Sequence, residues 1–376
     1  MRVAFYSPLK PPSHPIASGD RRVARLLLAA IRQGGNDAFV ASTLRAFEGA
    51  GDPKRQHLIQ RRGEAIARRL ITKFESNPPD LWFTYHLYHK APDWVGPAVC
   101  EALSIPYVVA EASIAPKQAD GPWSEGYNAI LSAVRRASRI ITLNPDDRAC
   151  IEPVVRSPER IVMLPPFIDT RPVRRTVAKR VGHRTDLSRQ LGIPTSDIWI
   201  AVSAMMRPGD KLESYRVLGR AMQRLQDLPL RWLVAGDGAA RGEVEAALDA
   251  GTVSYLGSLG RRDMDNLHAA ADVAVWPAIR EAFGMALLEA QAAGLPVVAG
   301  RSPGVAQIVA DGETGLLTTP GDDKMLADAV RILAGNAEQR RSMGQAAMKK
   351  AENQHDISSA ARQIGRVLQE AKGTRK

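Results

Sequence analysis

Residues 276–300, WPAIREAFGMALLEAQAAGLPVVAG, read as a strand end, a proline-containing loop, a helix opening around 283–285, and a second strand. The first turn of such a helix leaves backbone N–H groups without intrahelical acceptors, at the positive end of its dipole. That combination suits an anion such as a diphosphate. Gly284 has no side chain, so a ligand can approach its backbone closely. Glu281 stands just before the helix and Glu289 about one and a half turns inside it. Two carboxylates so placed can grip different hydroxyl-bearing parts of one ligand, with its phosphates between them.

Outward from this stretch, short apolar runs alternate with helical patterns, which predicts parallel sheets built from βα units. In the first half the expected strands are 3–6, 38–41, 81–84, 107–110, 139–143 and 161–164. Those of the second half are 198–203, 231–235, 253–256, 273–275 and 296–299. Val23, Leu26, Leu27, Ala30 and Ile31 form a helical stripe between the first two strands. Periodicity fades from Asp169 to Ile193, within which lies the run RPVRRTVAKRVGHR. The expected division is an N-terminal domain over 1–170, a basic interdomain segment over 171–193, a ligand-binding domain over 194–355, and a C-terminal helix over 356–376 that packs back on the first domain. The expected architecture is two Rossmann-like, doubly wound α/β domains facing across a cleft, with ligands at the C-terminal ends of the strands.

The pattern of Glu281 and Glu289 followed by AQAAGLPVVAG resembles the large family of retaining glycosyltransferases that includes phosphatidylinositol mannosyltransferases and sucrose synthases (glycosyl transferases group 1, family 4 type). AVSAMMRPGDKLESY (201–215) resembles its strand and Arg/Lys loop, WLVAGDGAARGEVE (232–245) its Gly-Asp-Gly turn, and SYLGSLGRRDM (254–264) the strand before its base-binding loop. DGETGLLTTPGD (311–322) resembles the segment that follows. The first domain matches more loosely, through its opening strand, the Gly-bearing loop before the first helix, and the strand at 105–109.

The resemblance implies a GT-B fold, with a UDP- or GDP-sugar donor on the second domain, a glycan or lipid-linked acceptor on the first, and retention of anomeric configuration. It implies that Arg207 and Lys211 neutralise the leaving diphosphate and that Phe283, Gly284 and Met285 hold the donor through their backbone. Glu289 would bind ribose hydroxyls, Glu281 hydroxyls of the transferred sugar, and Leu256, Gly257, Ser258 and Leu259 the base. Gly19 would face the diphosphate and His86 the donor sugar or acceptor. His14, His89, Glu111 and Trp123 are acceptor-site candidates. Two cations and a helix N-terminus would take the place of a divalent ion, so no metal or cofactor is expected. The chain departs from the family pattern at Pro277-Ala278, at Ala282 and at Pro166-Phe167, which bear on sugar preference and the junction between domains.

Rival readings are a GT-B nucleotide-sugar epimerase and a noncatalytic protein that binds a sugar nucleotide or a membrane surface. A nicotinamide fingerprint is disfavoured, because the spacing of Gly236, Gly238 and Gly242 is wrong and no ribose-binding acid follows. Asp263 and Asp265 sit where a helix should open, so capping and dipole complementarity explain them better than a metal. His86 and His89 lack a third ligand at zinc spacing.

The 376 residues carry a formal net charge of +11 with two cysteines, Cys100 and Cys150, read as small buried hydrophobes. Residues 1–75 hold 14 basic and 6 acidic side chains, and 171–190 hold 7 and 1. The rest is close to neutral, so the surplus does not belong to the donor motifs. An expected helix over 56–74 sets Arg61, Arg62, Arg68, Arg69 and Lys73 beside an apolar stripe. The favoured reading is a core-facing helix with a solvated basic side, and peripheral contact with an anionic membrane is the alternative. Few aromatics and none interleaved with the basic clusters argue against nucleic acid. The start of the chain shows no signal-peptide pattern and no run long enough to span a bilayer, so a cytoplasmic protein is expected.

Overall fold

In the computed structural model, which describes residues 1–16, 18–248 and 251–373, the apolar runs become twelve strands among the described residues. Two α/β units result: Met1–Pro165 together with the stretch from Ile357, and Pro166–Asp356. The first contains β1 (Arg2–Tyr6), β2 (Asp37–Ser42), β3 (Leu81–Leu87), β4 (Tyr107–Ala112), β5 (Arg139–Thr142) and β6 (Ile161–Met163). Their order is β2-β1-β3-β4-β5-β6, with every neighbour pair parallel. Consecutive residues Trp82, Phe83, Val108 and Val109 are all fully buried, as expected of a parallel sheet covered by helices on both faces.

The second unit contains β7 (Ile198–Ser203), β8 (Leu230–Ala235), β9 (Val253–Gly257), β10 (Val273–Trp276), β11 (Val297–Gly300) and β12 (Gly315–Thr318). Their parallel order is β12-β11-β10-β7-β8-β9. Each sheet therefore reverses its winding once, between β1 and β3 in the first unit and between β7 and β10 in the second. At such a switch point the connections leave in opposite directions and open a crevice beyond the strand ends. β12 was not anticipated, because GLLT is too short to show a period. It forms because Gly315 lets it lie against β11, where a Cβ would come 2.1 Å from the Val297 carbonyl oxygen.

The basic segment 171–193 is not a connector. It forms helices Thr170–Val177 and Arg180–Leu191 within the second unit. Arg180 donates to the carbonyls of Ala269 and Ala271 and pairs with Asp272 at 2.8 Å. Arg184 donates to Ala270 O, pairs with Asp272 at 3.0 Å and lies over the Trp199 ring. Both guanidiniums thus satisfy carbonyls at the end of helix Arg261–Ala270, where cations are favoured. The pattern of Arg180–Leu191 was obscured because this helix is anchored by arginines and buries no residue fully. Cys100 is buried, but Cys150 is exposed on the short helix Pro145–Ile151.

The last helix, Ile357–Gly373, lies on helix Gly19–Gln33 of the first unit. Gln33 reaches Ser358 at 2.9 Å, Gln363 donates to Met163 O at 2.6 Å, and Lys372 pairs with Asp80 at 2.7 Å.

Candidate active site

In the second unit the sequence-predicted residues gather around the crevice between β7 and β10. Beyond β7 the chain enters the loop 204–209, which is fixed by close backbone packing on the turn after β8. Met206 N–H donates to Asp237 O, and Ala240 N–H donates to Met206 O, both at 3.0 Å. Gly236 and Gly238 permit this. Their φ values are +156° and +153°, and a Cβ would stand 1.9 Å from Ala204 O and 2.3 Å from Met206 O respectively. The Arg207 side chain on this loop is exposed and makes no ion pair among the described residues. Lys211 follows in the first turn of helix Asp210–Gln223.

Beyond β10, Ala278 and Arg280 adopt left-handed backbone at φ +54° and +47°. Non-glycine residues hold that conformation only where surroundings enforce it. Ala278 is fully buried, Ser214 Oγ accepts from Ile279 N–H at 3.2 Å, and Arg280 pairs with Asp210 at 3.0 Å. The loop is thereby tied to the helix that carries Lys211. At its end Glu281 Oε2 receives Lys211 Nζ and, at 3.1 Å, Trp276 Nε1–H. The ammonium also lies 5.2 Å from the Trp276 ring centroid, and Tyr215 packs edge-on against the same indole at 5.0 Å.

Gly284 sits at φ +64° as the residue before helix Met285–Ala292, so the chain turns sharply into it and presents its first N–H groups beside the Glu281 loop. Gly304 allows the next connection to pack underneath, since a Cβ there would come 1.8 Å from Ala282 O. Ser302 Oγ donates to Glu281 O at 2.8 Å.

Glu289 is buried at 5% exposure, and Arg261 reaches it at 3.3 Å. The same guanidinium pairs with Asp265 at 3.0 Å. Asp265 therefore serves an ion-pair chain rather than a helix cap, while Asp263 lies in the first turn of its helix. Leu256 and Gly257 end β9 and Ser258 and Leu259 follow it, beside the Gly236 turn, where Gly236 N–H donates to Gly257 O at 2.8 Å. Sequence reasoning missed Trp276, Ser302 and Arg261. For Arg261 a signal existed, the Arg-to-Asp spacing of four on a predicted helix.

The first unit places a second cluster at its own switch point. His86 lies one residue before the end of β3 and Glu111 within β4, both with left-handed φ, +64° and +62°. Asp20, in the first turn of the helix that Gly19 opens, comes 3.4 Å from His86 Nδ1, and Glu111 Oε1 comes 3.7 Å from it. Asp147 stands near enough to act on both, and Ser113 donates to it at 3.3 Å. Burial opposes charge on His86, but Glu111 and Asp20 outweigh it and hold the imidazolium above the ordinary histidine value. Burial pushes the Glu111 and Asp147 carboxyls up. The hydrogen bond from His86 draws Asp20 down. Neither Asp20 nor Asp147 was anticipated as part of this group.

The remaining acceptor candidates do not join that cluster. His89 is buried, and its ring lies 5.8 Å from that of Trp123. The Trp123 indole donates to Glu48 O at 3.0 Å and carries Lys90 at 3.9 Å over its face. These side chains fill a narrow nook closed by Trp94 and Gly126. His14 Nδ1 accepts from Ile16 N–H at 3.2 Å, and Ser18 caps the helix through Arg21 N–H. Among the described residues no three His, Cys, Asp or Glu side chains gather in a way that could hold a metal ion.

Residues 186–350 match the family model described as glycosyl transferases group 1. The D-inositol 3-phosphate glycosyltransferase of Corynebacterium aurimucosum is 31% identical over 244 residues, 62% of this chain and 56% of that protein. The sulfoquinovosyl transferase of Arabidopsis thaliana is 30% identical over 155 residues, 40% of this chain and 30% of its own length. The chain thus spans about half, or less, of the curated relatives it matches. Among solved structures, a glycosyltransferase from Rickettsia africae superposes with a TM-score of 0.78 at 14% identity, covering 99% of both chains. HepE of Anabaena in complex with UDP gives 0.74 at 17% identity over 98% of this chain and 100% of that one. The fold is the two-domain α/β GT-B architecture.

Proposed function

We propose that this chain is a glycosyltransferase that moves a hexosyl group from a nucleoside diphosphate sugar to a hydroxyl of a glycan or lipid-linked acceptor, with retention and without a metal. The observation that carries this reading is the convergence of Lys211, Glu281 and the opening of helix Met285–Ala292 at the switch point of the second unit. In the reaction the bond from anomeric carbon to β-phosphate oxygen breaks, and a bond from that carbon to the acceptor oxygen forms. The acceptor hydroxyl passes its proton to the departing β-phosphate, which also takes the electron pair of the broken bond. Lys211, Arg207 and the helix N-terminus stand where that negative charge develops, so they favour the transition state over the bound donor. Glu281 would position the sugar through its hydroxyls, and Glu289 with Arg261 would hold the ribose.

The UDP bound by HepE supports a uridine donor as the first to try. The acceptor is assigned to the first unit, around His86 and Glu111. The inositol phosphate named for the corynebacterial relative is a less suitable acceptor here, since an anion would meet Asp20, Glu111 and Asp147. The test is thermal shift of the purified chain with UDP-, GDP- and ADP-sugars, with and without EDTA. Stabilisation by one nucleotide class, unchanged by EDTA, is expected, and no response to any of them would refute the donor assignment.

A peripheral membrane reading rests on helix Pro53–Phe74. It buries Ala67, Leu70 and Phe74 and exposes Arg61, Arg62, Arg68, Arg69 and Leu58. No helix among the described residues is long and apolar enough to cross a membrane. Flotation with anionic vesicles, comparing the wild type with the four arginines changed to Gln, decides it: the wild type floats and the variant does not, or the idea is dropped.

A further inference from the structure

The second unit contains a pocket of about 510 Å³ at the end of the sheet opposite the donor loops. Asp272 and Pro296, which line it, immediately precede β10 and β11, whereas Glu281 follows β10. The length of a four-residue strand, roughly 13 Å, separates the two ends. One nucleotide's phosphates cannot explain both.

Three arginines line the pocket. Arg180 and Arg340 are partly committed, the first to Asp272 and the carbonyls of Ala269 and Ala271, the second to the carbonyls of Leu333 and Ala334. Arg341 is exposed and has no side-chain partner among the described residues. Against these guanidiniums the lining offers one carboxylate, Asp272. Burial works against the charge of Arg180, Asp272 supports it, and the neighbouring Arg184 opposes it. The helix Ala337–Gln354 opens at the pocket, but Glu338 in its first turn offsets its dipole, so the positive charge there is that of Arg340 and Arg341. The rest of the wall is carbon: Val177, Leu295, Pro296 and Met348.

We propose that this pocket binds a small organic phosphate, with the phosphate on Arg341 and Arg180 and its carbon skeleton against Leu295 and Met348. A dianion matches the net charge of the lining, guanidinium pairs suit phosphate geometry, and the volume falls in the range of small-ligand sites. The site is independent of the donor reading, and it gives part of the surplus charge in 171–190 a ligand.

The experiment is calorimetric titration of the full chain with glucose 6-phosphate, inorganic phosphate and glucose, in the presence and absence of saturating UDP. Glucose 6-phosphate should bind and glucose should not, and UDP should leave that binding unchanged. Arg341→Gln should weaken it at least tenfold. Gln345→Trp, which places a bulky ring at the pocket wall, should abolish it. Both variants should keep the wild-type response to UDP, which separates this proposal from the donor assignment. Binding of inorganic phosphate as tight as that of glucose 6-phosphate would overturn the apolar half of the site. Absence of binding by either phosphate, displacement by UDP, or equal affinity in Arg341→Gln would overturn the site itself.

Discussion

Lys211 and Glu281 form an ion pair on a carboxylate oxygen that also accepts the Trp276 N–H. The pair joins the connection after β7 to the connection after β10, the two that part at the switch point. On the proposed function, a diphosphate arriving there would offer Lys211 a stronger anion and free Glu281 for sugar hydroxyls.

Replacing Lys211 by Met should therefore weaken nucleoside diphosphate binding about 10- to 100-fold, the worth of a charged hydrogen bond. Calorimetric titration with UDP and GDP checks this. A change under threefold contradicts the role given to the ammonium.

Glu281→Ala should leave the fold intact, because the side chain is only partly buried and the loop is also held by Ser214, Ser302 and Arg280. Transfer should fall at least a hundredfold, while UDP affinity changes little. Trp276→Phe keeps an aromatic ring beside Tyr215 but removes the N–H donor and part of the indole, so transfer should fall several-fold. Wild-type turnover in Glu281→Ala would remove it from the mechanism.

Gly304→Ala tests the packing under the loop. A Cβ would stand 1.8 Å from Ala282 O, which is backbone and cannot swing aside. Overpacking of this kind costs about 1–3 kcal/mol. Chemical denaturation should show a loss in that range, with transfer impaired because the Glu281 loop must shift. Unchanged stability would mean that the connection carries no such constraint.

In the first unit, His86 has a folded-state pKa above its unfolded value, so its contribution to stability is fully present below about pH 6.5 and is lost as pH rises through the folded value. Glu111 and Asp147, pushed up by burial, also favour the protonated side, and their effect declines with rising pH from their unfolded values upward. Asp20, drawn down, acts in the opposite sense only below about pH 4. The stability difference between the wild type and His86→Gln should therefore be larger at pH 6 than at pH 8.5 by chemical denaturation. Equal differences at the two pH values would show that the cluster does not titrate with folding.

Most of the parallel sheets was legible in the sequence because fully buried strands such as β3, β4 and β8 appear as continuous apolar runs. β12 was not, since four residues set by a close-packed glycine carry no period. The helices of 170–191 escaped because arginines bonded to carbonyls hold Arg180–Leu191 in place of an apolar stripe. For the site, spacing around Glu281 and Gly284 located the loop and helix, but Trp276 falls just past the expected strand 273–275, and nothing local marks an indole N–H as a partner of Glu281. Asp20 and Asp147 come to His86 from helices 66 and 61 residues away in the chain, a proximity that only the strand order creates.

The central claim is transfer from a nucleoside diphosphate sugar, and release of free nucleoside diphosphate tests it most directly. Wild type and Glu281→Ala are each incubated with UDP-, GDP- and ADP-sugars plus a mixed glycan acceptor pool, with and without EDTA. The wild type should release one nucleoside diphosphate at least a hundredfold faster than Glu281→Ala, at the same rate in EDTA. No release from any donor, or release that Glu281→Ala matches, would contradict the account.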